Sequence, residues 1–315
     1  MRAFITGADG FVGQWLVREL QDAGYEVHGG SRAARMPLRT LDAARAGAMR
    51  WHRIDLSEPE SLRAAIGASR PDAIFHLAAQ SNVPASIADP ADTFEVNLLG
   101  TVRLLDACRR EAPDAMLVVT GSADVYGVAD SSQMPLREDA PLRPANPYAA
   151  SKAAAEVSTL QYARCGWVRA LVTRSFNHTG PGQSDAFAAP AFAKQIAAIK
   201  SGSQKPVLRV GNLEALRDFL DVRDVVAAYR LLAERGGPCI VYNVCSGKAV
   251  SMREIVDELV RVAGVEVSIA EEPARMRPSD TPVLVGDAGA LQRATGWMPK
   301  IPLTQTLSDL LASYA

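Results

Sequence analysis

The sequence predicts an α/β protein, a doubly wound parallel sheet followed by a smaller mixed α/β lobe. Three observations carry this expectation. Apolar runs of strand length alternate with helix-period segments from residue 3 to residue 173, the pattern of strands joined by helical crossovers. A glycine-rich turn separates the first run from the first helix. Glycine and proline then crowd residues 174–182, and the alternation lapses beyond them.

The first strand, residues 3–6, runs straight into Gly7-Ala8-Asp9-Gly10-Phe11-Val12-Gly13. The helix that follows carries Trp15, Leu16, Leu20 and Ala23 on one side and stops at Gly24. Glycines let the backbone approach a pyrophosphate, and the free N–H groups of the helix start face the anion. A second strand, 26–29, ends in Gly30-Ser31-Arg32, with Arg35 close behind. No acidic side chain stands there to hold the ribose hydroxyls of NAD, and a guanidinium suits a 2′-phosphate, so NADP(H) is the expected cofactor. Asp55 and Leu56 follow a third strand, where they would meet the adenine.

Residues 73–76 form a fourth strand, and its exit loop, Leu77-Ala78-Ala79-Gln80, is small enough to lie against a cofactor. His76 reads as a packed strand histidine. A helix over 94–111 carries Asn97 and Gly100 near its start, and residues 115–120 form the next buried strand. That strand delivers Ser122 at its carboxyl end, where open parallel sheets do their ligand chemistry. A loop with three prolines, 140–147, then leads to a helix over 148–164 that opens Tyr148-Ala149-Ala150-Ser151-Lys152. Tyr148 and Lys152 share one helix face, and a nearby cation favours a phenolate. Tyr148 is therefore expected to exchange a proton near neutral pH, with Ser122 as a second hydroxyl.

A sixth strand, 168–173, closes this half. Beyond it the pattern gives a helix at 191–200, a strand at 207–210, and a segment 217–222 leading into a helix that runs to residue 232. A strand at 240–244 returns to the first sheet; helices at 252–263 and after Thr304 complete the chain. Residues 1–175, with about 215–245 returning to them, are expected to bind the cofactor; 176–214 and 246–315 form the second lobe. Arg209, Arg217, Arg275 and Arg277 recur at loop positions, and two of them converging on one cleft would clamp a diphosphate.

With 34 basic against 35 acidic residues, nothing attracts the whole protein to nucleic acid or to an anionic membrane. Cys108, Cys165, Cys239 and Cys245 lack C-x-x-C spacing and an accompanying histidine cluster, so neither a metal site nor a disulfide framework is expected. No charged-then-apolar leader precedes the first strand and no apolar run is long enough to span a bilayer. A cytoplasmic location is expected.

Gly7, Gly10 and Gly13, His76-Leu77-Ala78-Ala79, Ser122 four residues before Tyr126-Gly127, and Tyr148 with Lys152 together resemble the extended short-chain dehydrogenase/reductase family, in its nucleotide-sugar branch, over essentially the whole chain. The resemblance implies a Rossmann-type fold and a hydride-transfer site. In it Tyr148 is the acid/base, Lys152 lowers its pKa and holds the nicotinamide ribose, and Ser122 binds the substrate oxygen. The cofactor is implied to run past Gly7, Gly10, Phe11, Val12, Gly13, Ser31, Arg32, Asp55, Leu56, Leu77, Ala78, Ala79, Asn97 and Phe176. Family members commonly dimerise through the helices near 94–111 and 148–164, which implies a homodimer with a four-helix contact.

Residues 174–183, 210–215, 217–219 and 277–280 resemble the group within that branch that acts on GDP-mannose derivatives. A GDP-linked keto-deoxy-sugar is then the implied substrate, met by Ser81, Asn177, Lys194 and Arg209, with the diphosphate between Arg217 and Arg277 and the ribose at Asp280. Two reactions stay open. GDP-mannose 4,6-dehydration needs a carboxylate, normally Glu, two residues after the site Ser or Thr to take the C5 proton. Reduction of the C4 ketone of GDP-4-keto-6-deoxy-D-mannose by NADPH, giving GDP-D-rhamnose, needs none. The position holds Asp124, one methylene shorter than Glu. Proton abstraction requires heavy atoms within about 3.2 Å, so reduction is the expected reaction and dehydration the alternative. A nucleotide-sugar epimerase and a non-enzymatic cofactor-binding regulator are more distant alternatives.

Overall fold

The computed structural model describes residues 1–32, 37–272 and 281–314. Seven strands form one parallel sheet: β1 (Arg2–Thr6), β2 (Glu26–Ser31), β3 (Arg50–Arg53), β4 (Ala73–His76), β5 (Met116–Thr120), β6 (Arg169–Ser175) and β10 (Val241–Val244). Their order is β10-β6-β5-β4-β1-β2-β3. The order reverses between β1 and β4, and ligands of open α/β sheets bind outside the carboxyl ends at such a reversal.

Side chains alternate across each strand and so sort onto two faces. Ala3, Ile5, Phe75 and Val118 join Leu16 and Leu20 of α1 (Phe11–Asp22) and Val226, Tyr229 and Leu232 of α9 (Val222–Arg235) on one face. Phe4, Ile74, Leu117 and Val172 meet Leu62 and Ile66 of α3 (Pro59–Ser69), Leu104 of α6 (Gly100–Glu111) and Leu160 of α7 (Pro147–Arg164) on the other. Each fully buried side chain of this kind contributes about 1.5–3 kcal/mol. With both faces covered, the central strands β1, β4 and β5 read as near-continuous apolar runs, while the edge strand β3 is polar and mostly exposed.

Three short helices, α2 (Ala43–Gly47), α4 (Val83–Ala88) and α5 (Pro90–Phe94), complete this half, and α5 continues through a π-helical turn, Glu95–Leu99, into α6. These three do not emerge from the helical period, because each presents too few turns to the core. Their starts are legible afterwards: the Asp89 side chain accepts from the Asp92 N–H at 3.0 Å with Pro90 opening α5.

In the second half, β7 (Asn177–Thr179), β9 (Leu216–Asp221), β11 (Ala249–Ser251) and β13 (Val283–Leu284) form a small sheet centred on β9, and β8 (Val207–Val210) pairs with β12 (Ser268–Glu271). Helices α8 (Ala188–Lys200), α10 (Met252–Ala263) and α12 (Leu303–Ala312) enclose a core of Phe192, Ile196, Leu208, Ile255, Leu259 and Leu310 against them. Residues 217–221, expected to lead into a helix, are themselves strand. The chain also crosses back: β10 pairs with β6, and Leu291 of α11 (Gly289–Thr295) with Trp297 joins the core around α9. Among the described residues no helix is long and apolar enough to cross a membrane, and no three His, Cys, Asp or Glu side chains are placed to hold a metal ion.

Candidate active site

Ser122 follows β5 and opens a 3₁₀ turn, Ala123–Tyr126, its Oγ accepting from the Asp124 N–H at 3.1 Å. Across from it α7 starts at Pro147, and the Asn146 side chain accepts from the Ala149 N–H at 2.8 Å. A cap of this kind contributes about 1 kcal/mol and sets where the helix begins. Tyr148 is thereby held in the first turn, its N–H donating to Ser86 Oγ at 3.2 Å. Its phenol lies near enough to the Ser122 hydroxyl and the Asp124 carboxylate to feel both.

Burial pushes the Tyr148 pKa well above the ordinary phenol range, Asp124 adds to the rise, and Ser122 opposes it. Burial pulls Lys152 down to about 8. The Lys152 ammonium donates to the Thr120 carbonyl at 2.8 Å. The ammonium is thus held by a backbone oxygen, and burial and Asp124 are what act most on the phenol here, both toward its protonated form.

A buried network ties this trio to the first glycine turn. Thr101 Oγ1 donates to the Asn97 carbonyl at 2.6 Å, which leaves its lone pair to accept from His76 Nε2–H at 3.0 Å. His76 Nδ1 then accepts from Thr6 Oγ1 at 2.8 Å, one residue before Gly7. Burial, with the Lys152 charge adding, holds the His76 pKa down to about 3, so the imidazole is neutral and fully hydrogen-bonded. Asn97, expected along the cofactor, belongs to the same scaffold. Its amide donates to the Gln80 carbonyl and to Ser151 Oγ, both at 2.9 Å, and its oxygen accepts from the Gln80 N–H at 2.8 Å. The side chain of Phe176, also expected along the cofactor, is buried in the core against the Tyr126 ring, 6.2 Å between centroids.

The glycine turn has the shape a dinucleotide diphosphate needs. Gly7 sits at φ +69°, and a Cβ on Gly13 would stand 2.1 Å from the Gly7 carbonyl oxygen, so backbone alone fits there. Gly10 caps α1 with no side chain over its first N–H groups, and Phe11 and Val12 are half-buried beside it. Ala78 lies against Gly7, with Leu77 and Ala79 half-buried in the same loop. At the end of β2 Ser31 donates to the Asp9 carboxylate at 2.5 Å, and Arg32 is exposed. Two hydrogen bonds from Ser57 hold the Asp55 carboxyl low, with Arg32 adding; Leu56 is buried under Gly100. Arg35 lies outside the described residues.

The lobe presents its expected ligand groups differently. Asn177 on β7 and Ser81 in the loop after β4 are exposed. Lys194 pairs with Asp185 at 2.6 Å and Arg209 with Glu272 at 2.6 Å, all on the surface side of α8 and β8. The guanidinium of Arg217 donates to the Leu216 and Thr281 carbonyls at 2.9 and 2.6 Å. Arg275, Arg277 and Asp280 lie outside the described residues. His178 stacks on Phe11, 6.4 Å between centroids and 11° between planes, with Nδ1 donating to the Phe176 carbonyl at 2.9 Å. The lobe thus meets the start of α1 through a ring that the sequence shows only as one member of a glycine-proline segment.

The chain matches the GDP-mannose 4,6 dehydratase family over residues 4–310. It is 41% identical to the GDP-6-deoxy-D-mannose reductase of Pseudomonas aeruginosa over 314 residues, 99% of this chain and 97% of that protein. It is 28% identical to the GDP-mannose 4,6-dehydratase of Vibrio cholerae, covering 99% of this chain and 92% of the relative. The solved structure of RMD from Pseudomonas aeruginosa complexed with NADPH superposes with a TM-score of 0.84 at 38% identity, covering 99% and 98% of the two chains. With a backbone cradle at the sheet reversal and a Ser-Tyr-Lys trio beside it, this chain belongs to the GDP-mannose 4,6-dehydratase family.

Proposed function

We propose that this chain is an NADPH-dependent oxidoreductase that reduces the C4 ketone of GDP-4-keto-6-deoxy-D-mannose to GDP-6-deoxy-D-mannose, that is, GDP-D-rhamnose. The observation that carries this reading is the placing of Ser122 after β5 beside Tyr148 and Lys152 on α7, on a chain similar from end to end to a GDP-6-deoxy-D-mannose reductase. Bound NADPH supplies the hydride. The chain's own residues supply the rest. Tyr148 Oη gives its proton to the C4 oxygen as charge develops there, and Ser122 Oγ hydrogen-bonds the same oxygen; general acid catalysis of this kind contributes roughly 10²–10⁴-fold. The Lys152 ammonium adds positive charge below the phenol while it stays protonated.

Gly7, Gly10, Phe11, Val12 and Gly13 would hold the cofactor's pyrophosphate, Ser31 and Arg32 its 2′-phosphate, Asp55 and Leu56 its adenine, and Leu77, Ala78 and Ala79 its inner face. Residues 1–175, with about 215–245 returning to them, make up this cofactor domain. Residues 176–214 and 246–315 make the nucleotide-sugar lobe, with Asn177, Lys194, Arg209, Arg217, Arg277 and Asp280 toward GDP and Ser81 toward the sugar. A second copy docks through α6 and α7, where Leu99 and Val157 are 43% and 58% exposed, making a dimer. The four cysteines are free thiols, the state a reducing cytoplasm maintains.

GDP-mannose 4,6-dehydration is the second reading, and one observation favours it: Asp124 lies near enough to Tyr148 to raise its pKa, so a carboxylate is present in the site. Mixing the protein with GDP-4-keto-6-deoxy-D-mannose and following NADPH absorbance separates the two. Stoichiometric loss of NADPH is the expected result. No loss, together with water elimination from GDP-mannose, overturns the reductase.

A further inference from the structure

An arginine stands where the alternation of β6 calls for an apolar side chain. Ala170 and Val172 face α7 in the apolar core, and Arg174 is next on that face. It is 4% exposed, and Glu156 of α7, its partner, is 3% exposed. The guanidinium is used on every side. Its Nε and Nη2 donate to the two Glu156 oxygens at 2.9 and 2.6 Å, and Nη1 donates to the Glu138 carbonyl at 2.9 Å. Its flat face lies 4.8 Å over the Tyr126 ring.

Two of these contacts, to Glu156 and to Tyr126, end on elements that carry the site. Glu156 is four residues beyond Lys152 and eight beyond Tyr148 on one helix, so all three lie near one face. Tyr126 is the last residue of the turn that begins at Ser122. Its phenol donates to Asn243 Oδ1 at 2.7 Å, while Asn243 donates to the Leu136 and Asp287 carbonyls at 2.9 and 3.2 Å. Gly286, beside Asp287, points its N–H at the Asp218 carboxylate at 3.4 Å, next to Arg217.

We infer that Glu156 and Arg174 are positioning residues: the buried pair sets the separation of the Tyr148–Lys152 helix from the Ser122–Asp124 turn. A buried ion pair gains little stability over an apolar pair of the same volume, so its consequence lies in geometry. A misplacement of about 1 Å at reacting groups lowers turnover on the order of 10²-fold.

The inference rests on the proposed reaction only for its substrate. The test is the double variant Glu156→Leu/Arg174→Met, which removes both charges and keeps the volume. Its melting temperature is expected at or above that of the unaltered protein, and NADPH affinity by fluorescence within about twofold, since the glycine cradle is untouched. Turnover is expected to fall on the order of 10²-fold with KM changed less than about threefold. Crystal structures of the variant and of the unaltered protein should differ in the separation of Tyr148 Oη from Ser122 Oγ by about 1 Å, a readout that needs no substrate. Arg174→Lys keeps a buried cation but loses the fork, and carries the same test if the double variant does not fold.

A stable double variant with unaltered turnover and an unchanged Tyr148–Ser122 separation overturns the inference, because a merely structural pair would be replaced without loss. If the unaltered protein ignores the keto-sugar and dehydrates GDP-mannose, the reductase reading falls. The pair is then judged on dehydration, which needs the same three side chains.

Discussion

The carboxyl edge of the large sheet and the C-terminal lobe handle polar groups in opposite ways. At the sheet edge, Thr6, His76, Thr101, Asn97 and Ser151 are buried and bonded to one another. In the lobe, Lys194 and Arg209 stand in solvent with an acid beside each. An exposed pair is worth about 0–1 kcal/mol and re-partners cheaply with an incoming anion. A buried bond that loses one partner costs about 1–3 kcal/mol. The difference teaches that the proposed chemistry would sit on a rigid frame, and the proposed nucleotide contacts on groups that can turn.

Four measurements break or sharpen this contrast. The largest effect is expected from Tyr148→Phe: turnover falls about 10²–10⁴-fold while NADPH binding, followed by fluorescence, is unchanged. Turnover near that of the unaltered protein would remove Tyr148 from the chemistry. Next comes acid sensitivity of the frame. The unfolded chain takes up a proton near 6.5 that folded His76 refuses until about 3. Stability should therefore fall by several kcal/mol as pH drops through that window and be indifferent to His76 above it. Urea unfolding across the window compares the protein with His76→Gln, in which that slope is expected to flatten.

Smaller is the alkaline limb. Lys152 loses its proton near 8, so turnover should decline about tenfold per pH unit above that value; its burial penalty on the fold, full below about 8, fades toward 10.5. A turnover profile flat through that range would separate Lys152 from the reaction. The smallest effect is expected in the lobe: Lys194→Ala or Arg209→Ala should shift stability by less than about 1 kcal/mol and raise KM for the GDP-sugar several-fold at constant turnover. A large stability loss there would erase the contrast with the sheet edge.

The strands of the first half and the glycine turn were legible because burial on both faces leaves apolar runs that no loop imitates. Tyr148, Lys152 and Ser122 were legible from spacing on a helix and position after a strand. The short helices α4 and α5 were not, since one turn has no period to read. Asn97 and Phe176 show a different limit. Each stands beside the cofactor path in the sequence, yet the direction of a side chain is set by whichever partner it meets, Gln80 and Ser151 for one and the Tyr126 ring for the other.

By itself, then, the order of residues determined the alternating fold, the backbone cradle at Gly7, and the side chains available for proton transfer, because periodicity, glycine and helix spacing are local properties. Tertiary structure alone decided that Lys152 leans on the Thr120 carbonyl, that the Tyr148 phenol stays protonated, and that Arg174 closes on Glu156 beneath them. Those are matters of desolvation and of contacts between residues far apart in the chain, and they exist only once the chain has folded.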